Sequence, residues 1–168
     1  DNVMDVISKT PQHTYQLLTK RAERMAEYFS SRLIPQNVWL GVTVEDTLTK
    51  YRIDFLRNLS AQVKFLSCEP LLCDLGELDL EGVDWIIVGG ESGPIARPMK
   101  EEWVLNIKRQ AEQKSIPFFF KQWGTWSKEG VKGNKKKNGK LLQGEVIQQM
   151  PKVVHENFRN KDQTKFEE

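Results

Sequence analysis

The sequence predicts an α/β fold, a partial (β/α) barrel with parallel strands followed by a Gly/Lys-rich C-terminal extension. Two observations predict it. Five short apolar segments alternate with segments of helical periodicity, and each apolar segment ends in polar residues. Alternating strands and helices assemble as a parallel sheet with right-handed crossovers. Because sites in such folds lie at the carboxyl ends of the strands, the polar residues there predict a concave functional surface.

Each predicted strand is an apolar run of ordinary strand length. The five strands are expected at residues 14–19, 38–44, 63–67, 83–88 and 117–120. The fourth is nearly all apolar, as a strand buried on both faces of a parallel sheet must be. Pro70 follows the third strand closely and marks its end, since proline cannot continue a ladder.

Helices are predicted between the strands from apolar residues at three- and four-residue spacing. They are expected at residues 22–33, 47–59 and 100–114, with residues 71–82 as an irregular connection. The side chains expected to face the core are Met25, Phe29, Leu33, Tyr51, Ile53, Phe55, Leu56, Leu59, Trp103, Val104, Ile107 and Ala111. Pro35 ends the first of these helices, because proline lacks the amide hydrogen that the helix needs.

The ends of the chain differ from its middle. Apolar residues at the start indicate the end of an amphipathic helix stopped by Pro11, so the chain is expected to begin inside a domain. Residues 1–124 are predicted to form the partial barrel, and residues 125–168 a glycine- and lysine-rich hairpin or flap with a polar tail. Residues 155–168 are almost wholly polar and are expected to be disordered or a short exposed helix.

The composition bounds the class of protein. The chain has 168 residues, 39% hydrophobic content and a net charge of +2, which fits one globular domain and carries no global signature of nucleic-acid binding. No apolar run is long enough to span a bilayer, so no membrane partner is expected. Cys68 and Cys73 are expected as reduced thiols of a cytoplasmic protein. No metal site is predicted, because His13 and His155 are far away in the sequence.

Two cations follow the first predicted strand. Lys20 and Arg21 could hold a carboxylate or a phosphate, or could be the solvated start of a helix. Basic residues at the amino end of a helix oppose its dipole. Residues that break such local rules are often found at functional sites, so the position of Lys20 and Arg21 favours a ligand-binding role.

Three carboxylates follow the next three strands. If the strands are adjacent, Glu45, Glu69 and Glu91 converge on one edge of the sheet. There they could bind an amine, polarise a hydroxyl, coordinate a hard cation or act as a general base. The alternative for Glu45 is a charge at a helix amino end, next to Asp46.

A glycine loop and a lysine complete the predicted site. Gly89 and Gly90 precede Glu91 and allow backbone to approach a ligand closely, although the loop matches no phosphate-binding motif and is also an ordinary turn. Lys121 and Gln122 follow three phenylalanines. Because an unpaired buried ammonium is costly, Lys121 is expected to pair with a glutamate of a neighbouring strand or to contact the ligand.

The lysines between residues 132 and 140 leave two interpretations open. They could touch nucleic acid, or they could be a solvated loop. Aromatic residues do not interleave with them, so base stacking is not indicated. The solvated loop is the simpler interpretation.

Five segments together resemble the phage Gp37/Gp68 family. They occur in the order of that family and fall within residues 10–124: residues 16–21, 37–42, 69–72, 85–93 and 118–124. That family is similar to radical S-adenosylmethionine (SAM) enzymes, which carry a three-cysteine motif for a [4Fe–4S] cluster. This chain has no such motif. The resemblance therefore implies the C-terminal portion of a radical SAM-like protein of unknown substrate.

The resemblance also implies which cofactors to expect. The intact protein is expected to use SAM and a [4Fe–4S] cluster, and this chain alone to hold neither cluster nor activity. Residues 89–91 resemble the short motif that holds the amino group of SAM. The alternative function is a non-catalytic module that binds a nucleotide or an acidic ligand through Lys20, Arg21 and the glycine loop. Self-association through an exposed edge at residues 14–19 is a further expectation.

Overall fold

The computed structural model describes residues 2–152 and confirms the α/β class, with a five-stranded, all-parallel sheet. The strands lie in the order in which they occur along the chain. Each of the five predicted strands is present, with ends shifted by one or two residues. Their bounds are β1 Tyr15–Thr19, β2 Val38–Thr43, β3 Val63–Cys68, β4 Trp85–Gly89 and β5 Phe118–Gln122.

Helices lie in each of the three predicted connections, at the start of the chain and in the extension. Their bounds are α1 Asn2–Lys9, α2 Ala22–Phe29, a 3-10 helix Thr47–Thr49, α3 Arg52–Arg57, α4 Glu101–Gln113 and α5 Lys135–Asn138. Residues 71–82 contain neither helix nor strand, as predicted. Within residues 2–152, no helix has the length and apolarity needed to cross a membrane.

Helix α2 is shorter than predicted. It ends at Phe29, and Leu33 is 96% exposed, so the prediction that Leu33 faces the core is wrong. At the last turn, both the amide and the hydroxyl of Ser30 donate to the carbonyl of Glu27, at 3.3 and 2.8 Å. A serine that bonds to nearby backbone in this way competes with continuation of the helix.

The predicted helix 47–59 is broken in two. The Asp46 carboxylate accepts from the amide of Thr49 at 3.0 Å, and the Thr49 hydroxyl accepts from the amide of Asp46, which closes a capping box on a single 3-10 turn. Helix α3 then starts at Arg52. Tyr51 is 45% exposed, so the prediction that it packs inward is wrong, whereas Ile53, Leu56 and Leu59 are buried as predicted.

The two faces of the sheet differ because helices cover only one of them. On the helix-covered face, aliphatic strand residues pack with helix residues such as Leu56 and Ile107 in one core. The other face, here called the open face, carries the alternate residues of each strand. Its aromatic layer consists of Trp39, Phe65, Trp85 and Phe119. These rings pack edge-on or tilted at centroid distances of 5.8–6.0 Å, and each such pair stabilises the fold by about 1 kcal/mol beyond its buried area.

The two edges of the sheet are also different. The outer edge of β5 is covered by residues 147–149, since the amide of Phe120 donates to the carbonyl of Ile147 at 2.7 Å and that of Gln149 to Phe118 at 3.1 Å. The outer edge of β1 has no strand partner within residues 2–152.

The extension packs on the end of β5. Strands β6 Leu141–Leu142 and β7 Glu145–Val146 form an antiparallel hairpin. Leu142 is fully buried in the main core, and the Trp123 indole donates to the carbonyl of Leu141 at 2.8 Å. The predicted polar tail at residues 155–168 lies outside the described residues.

Candidate functional site

A charged layer lies at the carboxyl end of the open face, beyond the aromatic layer. Residues two apart along a strand share a face. Glu45 therefore continues the series Gly41 and Thr43, and Glu69 continues the series that includes Ser67. Glu45 and Glu69 follow β2 and β3, which are neighbours, so these two of the three predicted carboxylates leave adjacent strands at the same end of the sheet.

Glu45 is held between two cations. One carboxylate oxygen accepts from Nη1 of Arg52 at 3.0 Å, and the other accepts from Nζ of Lys20. Arg52 also donates to the carbonyl of Thr43 at 2.8 Å, which fixes it to the end of β2. The side chains of Glu45 and Arg52 are each 13% exposed, whereas Lys20 is 56% exposed. The carboxylate is thus anchored by a largely buried arginine, while its lysine partner is largely exposed to solvent.

Glu69 repeats this arrangement. Its Oε2 accepts from Nζ of Lys121 at 3.0 Å, and its Oε1 lies 3.4 Å from the Ser67 hydroxyl. The Glu69 side chain is 18% exposed and that of Lys121 is 51% exposed. Lys121 pairs with a glutamate, as expected, but not with one from a neighbouring strand: Glu69 follows β3, and β4 lies between β3 and β5.

The glycines of the predicted loop make room for atoms of the protein itself. A Cβ on Gly89 would lie 2.8 Å from Oε2 of Glu69, so the bare backbone there lets Glu69 reach Lys121. A Cβ on Gly90 would lie 2.0 Å from the carbonyl oxygen of Trp123. Both glycines are therefore explained by packing within the chain.

Glu91 is clamped by Arg97 after β4. Its carboxylate accepts from the amide, Nε and Nη2 of Arg97 at 2.8–2.9 Å. These hydrogen bonds lower the pKa of Glu91 to about 2, with a smaller contribution from the charge of Lys20. Glu45 in turn raises the pKa of Arg97, after the larger effect of Glu91. The Glu91–Arg97 pair therefore belongs electrostatically to the same cluster as Lys20 and Glu45.

Two of the predicted residues point elsewhere. Arg21 precedes α2 and, with Leu17, Leu18 and Met25, lines an apolar groove of about 330 Å³ beside β1. Gln122 is only 9% exposed, and its amide donates to the Ser92 hydroxyl at 3.3 Å.

Sequence reasoning missed the two arginines of the site. Arg52 and Arg97 follow their glutamates by seven and six residues, across a turn in each case. The available signal was a glutamate just after a strand with an arginine six or seven residues later, because such a pair can close the loop at the strand end with charge-assisted hydrogen bonds.

The cysteines do not fit the [4Fe–4S] cluster that the resemblance implies. Cys68 and Cys73 are both unpaired, and Cys68 is fully buried in the core. Burial, and after it the charges of Glu69 and Glu45, raise the pKa of the Cys68 thiol to about 12. Cluster ligands are thiolates, so a neutral core thiol is unsuited to that role. Within residues 2–152, no group of three or more His, Cys, Asp or Glu side chains is placed to hold a metal ion.

Charges of both signs meet in the site. Its ion pairs join four cations to three carboxylates: Lys20, Arg52, Arg97 and Lys121 to Glu45, Glu69 and Glu91. A surface that presents both signs is complementary to a ligand that itself carries both signs.

The chain is an α/β protein with a parallel sheet and a layer of charged side chains at the carboxyl ends of its strands. The chain belongs to the family described as "Protein of unknown function (DUF5131)", whose model matches residues 1–151. No curated protein and no solved structure matches the chain.

Proposed function

We propose that the carboxyl end of the open face binds a small molecule that carries both an amino and a carboxylate group. The proposal rests on the anchored carboxylates of Glu45 and Glu69, each paired with a lysine that is more than half exposed. Opening such an exposed ion pair costs about 0–1 kcal/mol. The ammonium of the ligand takes the place of Lys121 at Glu69, since Glu45 is also held by Arg52, and the released Lys121 binds the ligand carboxylate.

SAM is the specific ligand that the resemblance to radical SAM enzymes suggests. Its methionine portion carries the two groups that the site would recognise. The intact protein is accordingly proposed to be a radical SAM-like protein of the phage type, with its substrate open. This chain contributes the ligand-binding wall, because its two cysteines do not fit a cluster. The unpaired cysteines favour a reducing compartment such as the cytoplasm.

Calorimetric titration of the full chain with SAM tests the proposal. We expect SAM to bind and Glu69→Gln to weaken binding by about tenfold or more, since a hydrogen bond to a charged group contributes roughly 1.5–3 kcal/mol. Glu112→Gln is the matched control, because it removes a carboxylate that is 59% exposed on α4. The two variants should melt at similar temperatures.

The affinities of the two variants decide whether SAM binds at Glu69. Loss of affinity in Glu69→Gln but not in Glu112→Gln supports it. Absence of SAM binding, or equal affinity in both variants, contradicts it.

A nucleotide or another acidic ligand is the second candidate. Arg21 favours it, because its guanidinium makes no ion pair with any residue in 2–152 and lies next to Lys20 in the chain. ATP binding that is lost in Arg21→Ala, together with no affinity for SAM, selects this candidate over the first.

We also propose that the chain associates with a second copy of itself through the outer edge of β1. One edge of the sheet is covered by the chain's own residues, whereas the outer edge of β1 is unpaired within the described chain. Leu18 is 50% exposed beside that edge. An exposed edge with an apolar residue pairs readily with another strand, and a second copy supplies an identical one.

Light scattering over a range of protein concentrations tests this edge. We expect the mass to rise toward that of a dimer and Leu18→Lys to remove the rise, because a charge on an edge strand opposes pairing. Leu33→Lys is the control, since Leu33 is 96% exposed but lies outside the sheet. A constant monomer mass for the unmodified chain excludes the edge as an interface.

A further inference from the structure

The charge of the protein is divided unevenly between its two parts. Residues 125–152 contain seven lysines and two glutamates, whereas residues 1–124 contain fifteen basic and seventeen acidic residues. The small net charge of +2 is therefore the sum of a basic segment, residues 125–152, and a slightly acidic remainder of the chain. Clustered positive charge on one part of a surface is the electrostatic footprint of binding to a polyanion.

All seven lysines of this segment are exposed. Residues 128–137 are all exposed, and Lys135, Lys136 and Lys137 form most of the short helix α5. Within residues 2–152, the side chains of these three lysines make no ion pair or hydrogen bond. Lys132 reaches the carbonyl of Pro94 at 2.9 Å. Three adjacent ammonium groups without acidic partners repel one another, and a polyanion relieves that repulsion.

The basic segment is held in place next to the charged edge. The side chain of Asn134 caps α5 by accepting from the amide of Lys137 at 2.9 Å. Asn138 donates to the carbonyl of Gly124 at 3.0 Å, and the amide of Trp123 donates to the carbonyl of Gly139 at 3.1 Å. Because Trp123 directly follows β5, α5 is tied to the same strand end that presents Lys121.

We propose that the lysines around α5, called here the lysine flap (Lys132, Lys135, Lys136, Lys137 and Lys140), bind the phosphate backbone of nucleic acid. Residues 128–140 contain no aromatic side chain, and the indole of Trp126 is engaged with the carbonyl of Ala96 at 2.6 Å. Contact is therefore with phosphates and not by stacking on bases, so binding is independent of sequence and strongly dependent on salt. This inference stands apart from the ligand site, since it uses none of its residues.

Fluorescence anisotropy with a labelled 20-base-pair DNA duplex tests the lysine flap in the full chain. We expect log Kd to rise linearly with log salt between about 50 and 200 mM, with a slope of about 3 to 5 for three to five neutralised phosphates. The triple variant Lys135→Gln, Lys136→Gln and Lys137→Gln should weaken binding by about tenfold or more and lower the slope by about 3.

A second triple variant separates the flap from overall charge. It removes an equal number of positive charges from exposed positions elsewhere, by Lys9→Gln, Lys100→Gln and Lys114→Gln. We expect this variant to keep the affinity of the unmodified chain. An equal loss in both triple variants, or no binding of the duplex at low salt, overturns the proposal. Binding to phosphatidylserine vesicles in place of the duplex also overturns it, in favour of a membrane surface.

Discussion

Replacing Gly90 with alanine is expected to lower the free energy of unfolding by about 3 kcal/mol, the upper end of the usual cost of overpacking. The added Cβ would lie 2.0 Å from the carbonyl oxygen of Trp123 and 2.8 Å from its carbonyl carbon. Both are backbone atoms, so neither can rotate away. Relief requires β4 and the segment after β5 to separate, although the amide of Gly90 donates to the carbonyl of Gln122 at 2.9 Å. Urea denaturation followed by tryptophan fluorescence measures the change.

Gly133→Ala is the matched control for this prediction. Its added Cβ would lie 2.9 Å from Oδ1 of Asn138, which is the end of a side chain that can rotate. We expect a loss of about 1 kcal/mol, smaller than that of Gly90→Ala, because rotation of Asn138 gives up only its hydrogen bond to the carbonyl of Gly124. Equal stability of the Gly90→Ala and Gly133→Ala variants would show that the contact between the glycine loop and Trp123 is not tight.

The Cys68 thiol is expected to react with a thiol reagent about a thousandfold more slowly than an ordinary cysteine, because the rate follows the thiolate fraction. Its pKa is raised from 9.0 to about 12, and its side chain is fully buried. The measurement is the rate of labelling by Ellman's reagent in a Cys73→Ser variant, which leaves Cys68 as the single thiol. In about 6 M urea, Cys68 should react at the ordinary rate.

The same shift sets a direction for stability against pH. The folded state holds the proton of Cys68 more tightly than the unfolded state does. This contribution is therefore complete below pH 9.0 and is lost as the pH rises toward about 12. A Cys68→Ala variant should lack this part of the alkaline loss. Rapid labelling of native Cys68 would contradict the packing of β3 against the helices and would reopen the question of its thiolate chemistry.

The strands could be predicted because their signal is local. A run such as Trp85 to Val88 is apolar at every position, and only a strand buried on both faces suits it. That Lys121 pairs with a carboxylate could also be predicted, because a lysine after three phenylalanines was expected to need an acidic partner. The choice of Glu69 over the other glutamates could not, because it depends on the space that Gly89 leaves above β4.

The remaining differences come from contacts that no local pattern encodes. Leu33 has helical spacing from Phe29, but the hydrogen bonds of Ser30 end the helix first. Tyr51 matches the apolar face of a continuous helix, but the capping box at Asp46 inserts a separate turn before α3. The clamp of Arg97 on Glu91 closes a loop whose conformation the sequence does not reveal. The charged layer could thus be located from the sequence, while its internal pairing required the structure.

Mapping amide chemical shifts by NMR during titration with SAM tests the central claim most directly. The account predicts that the largest changes fall at the strand ends that carry Lys20, Glu45, Glu69 and Lys121, with Gly89 between them. These changes should disappear in Glu69→Gln and persist in Glu112→Gln. Changes confined to the groove beside β1, or an unchanged spectrum at saturating SAM, would contradict a ligand site at the carboxyl end of the open face.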